Sequence, residues 1–108
     1  MDDLNWIEAG LLSDLQDGDV SAAKCMNGVV VALYLVDGAV YATEATCTHG
    51  AAQMSDGFLE GYEIECPLHQ GRFDIRDGKA LNAPLDTDIK TYPTKIEDGK
   101  IFLALGQS

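Results

Sequence analysis

Five dipeptides punctuate the chain: Asp17-Gly18, Asn27-Gly28, Asp37-Gly38, Asp77-Gly78 and Asp98-Gly99. Such pairs accept the positive φ angles of tight hairpin turns, where most side chains would clash with their own backbone. Between them lie short runs rich in Val, Ile, Tyr, Phe and Thr, at residues 5–8, 19–24, 29–36, 39–43, 62–65, 72–75, 89–95 and 100–105. Strands this short at this spacing predict an all-β protein, an antiparallel sandwich or barrel. Residues 11–16 are the one helix candidate, about one turn long.

The 108 residues are one domain's worth, 1–108, and a chain of that size should bury roughly two-thirds of its unfolded surface. Hydrophobic residues at 46 % and charged residues at 23 % exclude a disordered chain. The longest apolar run, 29–36, has the length of a strand and falls far short of the ~20 residues of a membrane span. The acidic opening Met1-Asp2-Asp3-Leu4-Asn5 lacks the basic start of a secretory signal, so a cytoplasmic protein is expected. Eighteen acids against seven bases give a net charge of −11, which excludes nucleic acid and anionic membrane as natural partners. The same charge suits steering toward a protein with a basic patch. Three cysteines is an odd count for a disulfide frame and reads as ligands or core.

One region breaks the strand rhythm. Residues 44–61 show little alternation and read as a long loop, which in a compact domain is usually functional. Residues able to bind metal lie at its start and just beyond its end: Cys47-Thr48-His49-Gly50, then Cys66-Pro67-Leu68-His69-Gln70-Gly71. The pattern is C-x-H, a spacer, then C-x-x-H. A tetrahedral zinc site accepts two Cys and two His. So does a Rieske [2Fe–2S] centre, where two His replace two Cys on one iron. Zinc fingers pair like ligands in each half, whereas here each half mixes thiolate and imidazole. That mixing suits a two-iron cluster between two loops, with Cys47 and Cys66 on one iron and His49 and His69 on the other. Both histidines of the chain belong to the pattern, and Cys25 lies outside it as a small core residue.

With their neighbours, these stretches resemble the Rieske-type ferredoxin components of bacterial aromatic-ring-hydroxylating dioxygenase systems, of the naphthalene dioxygenase type. The likeness runs on the two loops, on Met54-Ser55-Asp56-Gly57 and on Glu65 through Asp74. It extends to Trp6-Ile7-Glu8-Ala9 and Ile89-Lys90-Thr91-Tyr92-Pro93, and so covers essentially the whole chain. It implies the Rieske fold, an antiparallel β-sandwich base with a small cluster-binding subdomain at about residues 44–75. It also implies one [2Fe–2S] cluster per chain. The task implied is to carry one electron from a flavoprotein NAD(P)H reductase to a terminal Rieske oxygenase.

Respiratory Rieske proteins resemble this site but add a cysteine to each loop. Here Ala52 (or Ala51) and Leu68 hold those places, and no bridge can form. Gly71 and Phe73 stand where the respiratory proteins carry hydroxyls that donate to the cluster. With fewer donors the expected potential is near the low end of the Rieske range, about −150 mV. A ring-hydroxylating oxygenase needs a second, mononuclear iron on two His and a carboxylate. With both histidines used, no such set remains, and no Gly-rich dinucleotide motif follows a strand. The chain therefore reads as a carrier, not an enzyme, and as a monomer. Its docking face is expected around residues 47–52 and 66–71, flanked by Asp56, Glu60 and Glu63.

Overall fold

The computed structural model describes residues 6–25, 28–47, 52–67, 71–82 and 87–104. Among these, ten strands form three antiparallel sheets. In chain order they are β1 (Trp6–Leu11), β2 (Asp19–Lys24), β3 (Val30–Val36), β4 (Ala39–Glu44), β5 (Phe58–Glu60), β6 (Glu63–Glu65), β7 (Arg72–Asp74), β8 (Thr91–Tyr92), β9 (Thr94–Glu97) and β10 (Lys100–Ala104). The sheet orders are β1-β10-β9, β2-β3-β4-β8 and β5-β6-β7.

The turn pairs act as their chemistry requires. Asp37 and Gly38 take φ angles of 52° and 80° between the paired residues Val36 and Ala39. Asp98 and Gly99 take 53° and 75° between Glu97 and Lys100. Both are two-residue turns with two positive φ values, the geometry that matches strand twist. Gly78 needs its lack of a side chain twice over: its φ is 79°, and an added Cβ would strike the Ile89 carbonyl.

Strand β3 explains the uninterrupted apolar run. Its residues Val31 through Tyr34 are all buried because both faces of its sheet are covered. Val31 and Leu33 join Ala9, Val40, Ala42, Ile101 and Leu103 in a core against the β1-β10-β9 sheet. Ala32, Tyr34 and Val36 join Val20, Met54, Ile64, Phe73, Ile75 and Ile89 in a second core on the other side. A strand wet on one face would have alternated. This one is the wall between two cores.

The structure departs from the sequence reading in four places. The helix candidate is only a 3-10 turn, Leu12–Asp14, and β1 runs on to Leu11 past an irregularity between Glu8 and Gly10. The run 89–95 is two strands rather than one. Pro93 has no N–H to donate to a ladder, and there the chain leaves β4, which pairs with β8, for β10, which pairs with β9. Part of the segment read as loop is structured, with a 3-10 turn at Met54–Asp56 followed by β5. Gly57 joins the two, and its bare Cα lets the Glu65 carbonyl approach where a Cβ would sit.

Candidate metal centre

Cys47 and Cys66 occupy matching positions at the necks of two loops. The Cys47 N–H donates to the Ala52 carbonyl at 2.9 Å, and the Cys66 N–H donates to the Gly71 carbonyl at 2.7 Å. Each bond closes a loop of the same length. The first neck is continued by the Thr46–Gln53 bridge and by the Met54 N–H donating to Ala45 at 2.7 Å. The second is the end of the β6–β7 hairpin, where Glu65 faces Arg72. Outside β7, the Arg72 N–H donates to Asn82 Oδ1 at 2.8 Å and the Leu81 N–H to the Arg72 carbonyl at 2.8 Å, so both sides of the strand are tied.

Both cysteines point inward. Cys47 is 3 % exposed and Cys66 fully buried, and both belong to the core that holds Met54, Ile64 and Phe73. Cys25 belongs to the other core, across the β3 wall. Burial pushes the Cys25 thiol up from its ordinary pKa. None of the three forms a disulfide. The structure thus brings together two cysteines of the sequence pattern and segregates the third. His49 and His69 lie outside the described residues, as do Gly50, Leu68 and Gln70. Among the described residues no three metal-binding side chains converge, since Cys47 and Cys66 are only half of the expected set.

Donor chemistry agrees with a cluster. Two thiols in one apolar core, at the necks of two equal loops, can hold a thiolate-ligated iron while the core excludes water from it. Met54 is fully buried in that same core. Phe73 is fully buried there too and brings no hydroxyl.

The acidic flank carries a feature that sequence reading missed. Arg72 Nη1 pairs with Glu60 at 3.0 Å and Glu63 at 3.2 Å, and its Nη2 pairs with Glu65 at 3.0 Å. Hydrogen bonds to Glu60, then Glu63 and Glu65, hold the guanidinium above its ordinary pKa. The partners lie 7, 9 and 12 residues away, and only the β5-β6-β7 register joins them. Arg76 grips Asp74 through Nε at 3.0 Å and Nη2 at 2.8 Å and stacks over Tyr62. Those bonds hold the Asp74 carboxyl below the usual carboxylate range.

Comparison with known proteins gives one answer. The Rieske [2Fe-2S] domain family matches residues 5–93. The ferredoxin component of a 2,4-dinitrotoluene dioxygenase system from Burkholderia sp. (strain RASC) is 70 % identical over 101 residues, 94 % of this chain and 96 % of that one. The ferredoxin component of the naphthalene 1,2-dioxygenase/salicylate 5-hydroxylase systems of Ralstonia sp. is 61 % identical over 101 residues, with the same coverage. A chain from a solved complex of reduced oxygenase and oxidized ferredoxin in carbazole 1,9a-dioxygenase superposes with a TM-score of 0.85 at 32 % identity, covering 95 % of each chain. The chain belongs to the Rieske [2Fe–2S] family, in the group of ferredoxin components of aromatic-ring dioxygenase systems.

Proposed function

We propose that this protein accepts one electron from a flavoprotein NAD(P)H reductase and delivers it to a terminal aromatic-ring-hydroxylating oxygenase. Electron transfer is the work of its group, and the cofactor is a Rieske [2Fe–2S] cluster. The ligands are taken to be Cys47, His49, Cys66 and His69. One observation carries this reading: the two motif cysteines share a buried core at the necks of two equal loops, and those loops contain the only histidines of the chain. When bound, the cluster supplies a one-electron redox step. The protein positions the thiols, keeps water from their side of the site, and brings the loops to a partner.

Residues 1–108 are read as one Rieske unit whose cluster-binding part is about 44–75, working in the cytoplasm as a monomer. No helix of the described residues is long and apolar enough to cross a membrane. The name of the Ralstonia relative joins one ferredoxin to two oxygenase systems, which supports a carrier indifferent to the final substrate.

The test is elemental and spectroscopic. Native protein should contain two irons and two sulfides per chain. After anaerobic reduction it should give the paramagnetic resonance of a mixed Cys/His cluster, distinct from an all-cysteine one. The reduced protein should then pass its electron to the oxygenase of a naphthalene dioxygenase system. A colourless, zinc-loaded protein without inorganic sulfide would end the proposal.

A further inference from the structure

The register of the third sheet sorts its side chains by face. Leu59, Ile64 and Phe73 lie on the inner face, toward the core that holds the cysteines. The outer face carries Phe58, Glu65 and Arg72 in one cross-strand row and Glu60, Glu63 and Asp74 in the next. The first row abuts the second cysteine loop, because Glu65 precedes Cys66 and Arg72 follows Gly71. Phe58 is 77 % exposed, more than any other large apolar side chain among the described residues. It sits on β5, an edge strand of its sheet. A bare aromatic ring on an otherwise ionic face costs solvation without contributing to the core. Aromatic side chains are enriched at protein interfaces, where the hot spots cluster in desolvated pockets.

Charge chooses the occupant. The outer face has four carboxylates, and among the described residues Arg72 and Arg76 are the cations paired with them. A second copy would bring the same acids and a further −11 of net charge, so like charges would meet. An anionic lipid surface is repelled in the same way. The face fits a protein presenting an apolar socket rimmed by Lys and Arg.

We propose that Phe58 is the apolar anchor, and Glu60 and Glu63 the acidic rim, of the surface by which this protein docks on its terminal oxygenase. The inference rests on the carrier reading above. Oxygenase rather than reductase is favoured because a chain of this fold and length has been solved in a complex of oxygenase and ferredoxin. Arg72 preorganises the rim by holding the three glutamates in one arrangement before the partner arrives.

The experiment uses cluster-loaded wild-type, Phe58→Ala and Phe58→Trp proteins with the oxygenase of a naphthalene dioxygenase system. Calorimetric titration should show Phe58→Ala binding about tenfold more weakly and Phe58→Trp within about twofold of wild type. In stopped flow the reduced Phe58→Ala protein should need about tenfold more oxygenase for half-saturation, with the rate at saturation kept. Thermal midpoint and reduction potential should not move, since the ring contributes to neither core. Equal affinity of Phe58→Ala and wild type would overturn the anchor. So would a loss confined to reduction by the flavoprotein reductase, or a wild-type dimer in sedimentation that Phe58→Ala dissolves. If the wild-type protein reduces no oxygenase, the carrier reading itself falls, an outcome distinct from the other three.

Discussion

Phe73→Ala tests whether the two cores are separate structures with separate duties. Phe73 is fully buried, pairs with Ile64 across β6–β7, and packs in the core that contains Cys47 and Cys66. Truncating such a ring to alanine costs about 3–5 kcal/mol in lost transfer energy and cavity. For a domain of this length that lowers the thermal midpoint by about 12–20 °C. Leu103→Ala is the matched control. Leu103 is equally buried but lies in the other core with Cys25, and its loss costs about 2–5 kcal/mol. The assay follows the visible absorption of the cluster and the far-ultraviolet circular dichroism of the holoprotein in one thermal ramp. In Phe73→Ala the visible signal should bleach well before the sheets melt, because β7 closes the neck at Cys66. In Leu103→Ala both signals should fall together. A Phe73→Ala midpoint within about 4 °C of wild type, or early bleaching in Leu103→Ala instead, would refute the division of labour.

Three further outcomes follow from the site. Cys25→Ala should keep the full iron and sulfide content, whereas Cys66→Ala should lose both, as elemental analysis would show; iron loss in Cys25→Ala would contradict its segregation across β3. Redox titration should place the midpoint near about −150 mV, since Gly71 and Phe73 supply no side-chain donor; a clearly positive value would refute this. Arg76 lowers the Asp74 pKa in the folded state, so the stabilisation is complete above the unfolded value of about 3.9 and is lost as pH falls through the folded one. An acid titration of Asp74→Asn should therefore be flatter than that of wild type below about pH 4.

Much of this architecture is legible in the chain because turn chemistry is local. Asp37-Gly38 and Asp98-Gly99 state their φ angles outright, and they fix the β3–β4 and β9–β10 registers. Of the metal motif, Cys47 and Cys66 fall in one buried core, whereas His49 and His69 lie outside the described residues. Strand β5 was hidden because Leu59 is the only residue it turns inward, too little for a period to be seen. The break at Pro93 was hidden because apolar and β-branched residues lie on both sides, and a run shows no sign of changing sheets. The Arg72 hub could not be read at all. Its partners are set by strand register, a long-range property that no short window contains. Phe58 offered one signal: it stands two residues before Glu60, and period-two alternation puts both on the same polar face.

Strand β3 insulates the two ends of the protein from each other. No side chain of β9 or β10 enters the core that holds Cys47 and Cys66. A fluorophore or an electrode tether fixed at the exposed Asp98-Gly99 bend would therefore pull only on the sheet that packs on the other core, leaving the end that holds Cys47 and Cys66 unencumbered. The same partition lets the base drift in sequence or accept a fusion while the redox chemistry stays as it was.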